Sequence, residues 1–160
     1  VLFLHGFGGD LNNWLFNQAE VAEGRKAIAL DLPGHGGSTK EVGEGDVGSL
    51  TNAVCDFLDA LSIPKAHLVG HSLGGAVSLD MALNHAERVA GRQTLQLTPR
   101  LGELKVPVQV IWGEQDRIVP ASHGLGLPST IKVTRFADAG HLAHMEKAGE
   151  VNDLIKTFTA

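Results

Sequence analysis

Val69-Gly70-His71-Ser72-Leu73-Gly74-Gly75 is the stretch whose reading decides the fold. Ala66 to Val69 reads as a short buried strand, and Gly70 to Gly74 must then turn sharply into a helix that starts near Leu73. A serine at the apex of such a turn has its hydroxyl pushed out of the sheet and into a cleft. Gly70 and Gly74 carry no Cβ, so backbone segments can cross closely on both sides of the turn. The helix behind Ser72 aims free N–H groups at any negative charge that develops there. A five-residue G-x-S-x-G match arises often by chance. The strand before it and the helix after it are what make this one specific.

Outward from this turn, the chain alternates strands and helices. Val1 to Leu4 is an all-apolar run ended by His5-Gly6-Phe7-Gly8-Gly9. Unbroken apolarity at strand length predicts burial on both faces, as in a parallel sheet. Asp10 suits the N-cap of a helix carrying Leu11, Trp14, Leu15 and Val21. Lys26 to Leu30 reads as a strand running into the loop Asp31-Leu32-Pro33-Gly34-His35-Gly36-Gly37-Ser38. Val47 to Leu61 has the strongest helical period, with Leu50, Ala53, Val54, Phe57, Leu58 and Leu61 on one stripe. Two more strands, Val108 to Trp112 and Ile131 to Phe136, run into Gly113-Glu114-Gln115-Asp116 and Ala137-Asp138-Ala139-Gly140-His141. A last helix carries Val151, Leu154, Ile155 and Phe158. This order predicts an α/β fold, a mostly parallel sheet with helices on both faces, in a single domain over residues 1–160.

Composition narrows the function classes. The 160 residues are 43% hydrophobic and 19% charged, with a net charge of −5 and no Lys/Arg cluster, which argues against a nucleic-acid partner. No apolar run approaches the roughly 20 residues of a membrane span, and the first residues do not resemble a signal peptide. The single cysteine, Cys55, fits a reducing compartment, so a cytoplasmic location is expected. Val1 opens inside an apolar run, so the chain is expected to begin mid-domain. Twenty glycines are nearly double the usual share of about 7%. They cluster just after apolar runs, as loops packed around a site would.

In open α/β sheets, ligands sit at the carboxyl ends of the strands. The residues just past those ends are His5-Gly6-Phe7, Asp31, Ser72, Asp116 and His141. That set contains a nucleophile, an acid and a base. A serine hydroxyl needs a neighbouring base to take its proton; His141 is the candidate, with Asp116 to fix its tautomer and stabilise the imidazolium. The N–H of Leu73 can donate to an oxyanion, and a second donor is expected from Phe7. The order Ser72, Asp116, His141 is that of the α/β-hydrolases.

Together, His5-Gly6-Phe7-Gly8, Asp31-Leu32-Pro33-Gly34-His35-Gly36, Gly70-His71-Ser72-Leu73-Gly74-Gly75, Trp112-Gly113-Glu114-Gln115-Asp116 and Gly140-His141 resemble the α/β-hydrolase superfamily over most of the chain except about 88–105. More narrowly, Ile111 to Pro120 and Gly140 to Glu146 resemble the α/β-hydrolase domain of the acetoin-cleaving system's dihydrolipoamide acetyltransferase. The wider resemblance implies acyl transfer by a serine nucleophile with no cofactor and no metal. It implies a small-molecule acyl substrate, an ester, thioester or related bond, with water as acceptor. The narrower one implies transfer to a dihydrolipoyl thiol. A third reading is a non-catalytic remnant that keeps the motifs and acts as an interaction module.

Two departures stand out. The one or two strands that the superfamily places before the first one are expected to be missing, and residues 88–105 are too few for the usual next strand and helical cap, leaving a remnant of the cap region. Thr94-Leu95-Gln96-Leu97-Thr98 alternates like a strand and could fill the vacated slot; a leftover helical turn of the cap is the preferred reading. Leu95 and Leu97 are read as the only residues placed to fill it. An unfilled slot would expose two strand edges and favour self-association. Removal of the cap should leave an open site. Among the other residues, His5 and His35 read as loop braces, His71 and His144 as non-catalytic, and His67, His85 and His123 as solvent-facing. Cys55 is expected off its helix's apolar stripe. No histidine pair shows metal-ligand spacing.

Overall fold

The computed structural model describes residues 1–90 and 100–160. Its strands are β1 (Leu2–Leu4), β2 (Ile28–Leu30), β3 (Leu68–Gly70), β4 (Val108–Gly113) and β5 (Ile131–Phe136), and its helices are α1 (Leu15–Val21), α2 (Val47–Ala60), α3 (Leu73–Asn84), α4 (Ala143–Glu146) and α5 (Ala148–Phe158). All strand pairs are parallel, in the orders β2-β1-β3 and β4-β5.

The apolar run at the start of the chain explains the layering. Leu2 and Leu4 point to one face of β1, where they pack with Leu50, Val54 and Leu58 of α2 and Val77 and Met81 of α3. Phe3 points to the other face and packs with Trp14, Val21 of α1, and Val151 and Ile155 of α5. Both faces of β1 are therefore core, which is why its sequence shows no alternation. A third cluster gathers Leu79 of α3, Leu101, and Val108, Val110 and Trp112 of β4. The α1–α5 layer and α3 thus span the two strand groups. Asn17 and Asn152, both buried, tie that layer together: Asn17 Nδ2 donates to Asn152 Oδ1 at 2.7 Å and to the His144 carbonyl at 3.1 Å.

The elements form for local reasons. The Asp10 carboxylate accepts from the Asn12 N–H while the Asn13 side chain accepts from the Asp10 N–H, so the first turn, Leu11–Trp14, winds as a 3-10 helix before α1. Asp46 caps α2 through the Ser49 N–H at 2.8 Å.

Several expectations need correction. Cys55 is 8% exposed and belongs to the α2 core, because the buried arc of this helix is wide enough to include Thr51 and Cys55 beside the Leu50–Val54–Leu58 stripe. Leu61, expected on that stripe, is exposed past the helix end. His67 is half-buried, with an Nδ1 that has no partner among the described residues; His85 is half-buried too.

The slot beside β3 is also entered differently. His67 O accepts from Leu2 of β1, so Ala66, one residue earlier, faces the opposite edge. There the Ala66 N–H donates to Arg88 O at 3.0 Å and the Ala90 N–H to Ala66 O at 2.8 Å, a parallel bridge between Ala66 and Val89. Val89 is thus placed in the slot, whereas Leu95 and Leu97, read as the only residues to fill it, lie outside the described residues. The strand or turn expected at Thr94–Thr98 lies outside the described residues. Among the described residues, no ladder joins β3 to β4.

The glycines of the Ser72 turn are fixed by contact. A Cβ on Gly74 would lie 2.1 Å from the Leu4 carbonyl oxygen, whereas one on Gly102 would meet nothing within 4 Å. Gly74→Ala is expected to destabilise the fold by about 1–3 kcal/mol or more, and Gly102→Ala to stay within about 0.5 kcal/mol of wild type. Urea unfolding of the two variants checks this; equal midpoints would contradict it.

Candidate active site

Ser72 sits between β3 and α3 at φ +50°, ψ −112°, a backbone region that L-residues rarely adopt. The turn is held there by backbone bonds to β1 and its loop: the His71 N–H donates to Leu4 O, and the Gly74 N–H to His5 O, both at 3.0 Å. A Cβ on Gly70 would lie 2.4 Å from the Gly74 carbonyl oxygen. The turn therefore needs glycine at both flanking positions, and the strain at Ser72 is imposed by its surroundings.

Asp116 and His141 come from the loops after β4 and β5. These loops dock on each other: the Glu114 N–H donates to Phe136 O and the Gln115 N–H to Ala139 O, both at 2.9 Å. Gly113 has no room for a side chain against Ala139 and Gly140. The result is a hydrogen bond from His141 Nδ1 to Asp116 Oδ2 at 2.8 Å. The other Asp116 oxygen accepts from the N–H groups of Ile118 and Val119, each at 2.8 Å. Burial pushes the Asp116 carboxyl up, but the His141 ring and those two N–H groups outweigh it and hold it below the usual carboxylate range.

Two residues to which the sequence reading gave no part in the site, His71 and Glu146, clamp the His141 loop. Glu146 accepts from the N–H groups on either side of His141, Gly140 at 2.8 Å and Leu142 at 3.2 Å. His71 Nε2 donates to the His141 carbonyl at 2.9 Å. Neither role is legible locally, because each depends on which loops meet. His71 continues a stack of rings, with centroids 4.7 Å from His141 and 4.6 Å from His144; His144 in turn lies 4.5 Å from Trp14.

A cleft of about 570 Å³ is lined by Gly6, Phe7, Ser72, Ile118, His141 and Leu142, among others. Phe7 is 86% exposed and Ile118 72%, so its rim is open and apolar. Ser72 and His141 share this cleft, but among the described residues no hydrogen bond joins them. Nor do the N–H groups of Phe7 and Leu73 have a protein acceptor among the described residues. His5 and His35 brace loops as expected: His5 Nδ1 lies 2.8 Å from Gly6 O, and His35 Nδ1 lies 3.1 Å from Pro33 O. Among the described residues, no group of three or more His, Cys, Asp or Glu side chains is arranged to hold a metal ion, and no helix is long and apolar enough to cross a membrane.

The comparisons with known proteins fit this geometry. The family model described as alpha/beta hydrolase fold matches residues 1–92, and the chain belongs to that family of enzymes. Among its relatives is the dihydrolipoyllysine-residue acetyltransferase component of the acetoin cleaving system. The Pseudomonas putida protein is 34% identical over 99% of this chain and 62% of its own length, and the Cupriavidus necator protein 31% identical over 98% and 62%. The chain thus spans less than two thirds of these relatives. The 2-hydroxy-6-oxo-6-phenylhexa-2,4-dienoate hydrolase of Comamonas testosteroni is 28% identical over 99% of this chain and 86% of its own length. The solved enol-lactonase from Burkholderia xenovorans LB400 shares the fold, with a TM-score of 0.87 at 20% identity over 98% of this chain and 89% of its own.

Burial lowers the pKa of His71 to about 4 and that of His144 to about 3. Both fall below the unfolded value of about 6.5, so the unfolded chain binds more protons below that pH. The stabilisation from keeping these rings neutral is full above pH 6.5 and is lost as pH falls toward 4 and 3, at up to about 1.4 kcal/mol per pH unit for each ring. His144→Gln is expected to flatten the fall in unfolding free energy between pH 6.5 and 5. Urea titrations across that range check this; an unchanged slope would contradict it.

Proposed function

We propose that this chain catalyses acyl transfer through Ser72, His141 and Asp116, with hydrolysis of a small ester, thioester or related bond as its reaction. One observation carries the reading. His141, hydrogen-bonded to Asp116 at 2.8 Å, lines the same cleft as a serine held at φ +50° between a strand and a helix. Ser72 Oγ attacks the acyl carbon as His141 Nε2 takes its proton. Asp116, accepting from Nδ1, fixes the tautomer that leaves Nε2 free and stabilises the imidazolium. The N–H groups of Phe7 and Leu73 receive the oxyanion. Collapse breaks the bond to the leaving group, which takes the proton from His141, and leaves an ester on Ser72. Water, deprotonated by His141, then releases the acid. The open Ser72–His141 contact closes when substrate binds, as such contacts do in other enzymes.

A second reading follows from the relatives named as dihydrolipoyllysine-residue acetyltransferase components. In it a dihydrolipoyl thiol replaces water as the acceptor. Adding dihydrolipoamide to an assay with p-nitrophenyl acetate separates the two: thioester product favours the thiol, free acetate favours water. The partner in either case is a small acyl substrate, and the site is proposed to work without cofactor or metal. A cytoplasmic location accords with the lone, unpaired cysteine.

Kinetics on p-nitrophenyl esters test the assignment. Ser72→Ala is expected to lower kcat by at least about 10⁴-fold while leaving the thermal unfolding midpoint in place. His141→Ala should match it, and the double variant should be no worse than either single one. Asp116→Asn should cost less than Ser72→Ala. Undiminished activity in folded Ser72→Ala, or multiplicative losses in the double variant, would sink the triad.

The open rim gives a further expectation. Acetyl to hexanoyl esters should differ by less than about tenfold in kcat/KM, since the exposed Phe7 and Ile118 leave the rim open and offer little to reward or reject length. A steep optimum at one chain length would contradict it.

A further inference from the structure

His5 is 0% exposed, and the reaction as proposed gives its ring no task. Its two nitrogens are nevertheless both engaged. The Leu32 N–H donates to Nε2 at 3.0 Å, so Nε2 carries a lone pair and the proton of the neutral ring must sit on Nδ1. Nδ1–H then donates to the Gly6 carbonyl at 2.8 Å, which the Gly9 N–H also reaches at 3.0 Å. Gly6 O belongs to the peptide unit whose other end is the Phe7 N–H. In a trans peptide the C=O and N–H point in opposite directions, and no cis bond occurs among the described residues. Two donors that pull the Gly6 carbonyl toward His5 and Gly9 therefore turn the Phe7 N–H away from them. That N–H has no protein acceptor among the described residues, and both Gly6 and Phe7 line the cleft that holds Ser72. The loop has no slack for an alternative: a Cβ on Gly6 would lie 2.7 Å from His71 Nδ1 and 3.2 Å from Ser72 Cβ.

We infer that His5 is a positioning residue for the oxyanion site, its buried Nδ1–H setting the Gly6–Phe7 peptide so that the Phe7 N–H faces the acyl oxygen as charge develops on it. The inference rests on the reading of Ser72 as nucleophile. The Leu32 backbone N–H selects the His5 tautomer, so the loop after β2 is coupled to catalysis without touching substrate. Such a residue acts on the transition state more than on the bound ester.

The experiment compares two substitutions that each preserve half of the ring's hydrogen bonding. The amide of His5→Asn lies where Nδ1 was and can donate to Gly6 O; that of His5→Gln lies where Nε2 was and can accept from Leu32 but leaves Gly6 O to Gly9 alone. His5→Asn is expected to keep most of the wild-type kcat. His5→Gln should lower kcat by about 10²–10³-fold with little change in KM, and should weaken a boronic acid inhibitor, which forms a tetrahedral adduct on the serine, by a similar factor. Urea unfolding of both variants separates this from loss of fold. If Ser72→Ala is inactive and folded His5→Gln keeps its kcat, the inference fails and the nucleophile assignment stands; if Ser72→Ala is as active as wild type, both fail. Where neither His5 variant folds, the ¹⁵N spectrum of histidine-labelled wild type decides. The His5 signal at neutral pH is expected to show a neutral ring protonated on Nδ1, and a ring protonated on Nε2 would overturn the inference.

Discussion

The placement of Ser72 depends on the close passage of its turn across the end of β1. The Gly74 N–H reaches His5 O at 3.0 Å, and the space for a Cβ on Gly74 is already taken by the carbonyls of Leu4 and His5. A backbone conformation such as that of Ser72 costs on the order of 1–3 kcal/mol and persists only where neighbours leave no alternative. Here the buried strand supplies the constraint: β1 is core on both faces and cannot yield.

A second constraint concerns the gap between the strand groups. Ser72 rides on the β2-β1-β3 group and the Asp116–His141 pair on β4-β5. The pair is internal to one group, so its 2.8 Å geometry does not depend on how the groups meet. The distance from that pair to Ser72 does. Among the features that span the divide are the His71 bond to the His141 carbonyl, the α1–α5 layer with its Asn17–Asn152 contact, and Leu79 of α3 set into the β4–β5 core. His71 is adjacent to Ser72, so the bridge ties the Ser72 loop to the His141 loop directly. The ring sits in a crowded, buried place that disfavours its charged form, so protonation at low pH would destabilise the site even though Nε2–H can donate to the carbonyl in either state.

Much of this was legible in the sequence because it is written in short-range pattern. Unbroken apolarity in Val1 to Leu4 announces a strand covered on both faces. Gly70 and Gly74 announce a turn with no room, and the Ser72, Asp116, His141 order announces the strand ends on which they lie. What was not legible depends on which distant segments meet. Glu146 looks like an ordinary helix residue until its carboxylate is seen between the Gly140 and Leu142 amides. Cys55 falls outside the narrow stripe drawn from the 3.6-residue period, yet is buried because sheet and α3 together cover a wider arc of α2. Alternation offers Leu95 and Leu97 as candidates for the slot beside β3, with a leftover helical turn of the cap as the preferred reading. The pairing of Val89 with Ala66 follows from a backbone register that side-chain pattern does not encode.

The central claim is that the fold holds Ser72 as an activated nucleophile, and covalent labelling tests it most directly. Incubation of the folded protein with a fluorophosphonate probe, followed by peptide mass spectrometry, is predicted to place one phosphonyl group per chain on Ser72, with labelling slowed sharply in His141→Ala. A folded protein that remains unlabelled, or that carries the label on another residue, would contradict the account.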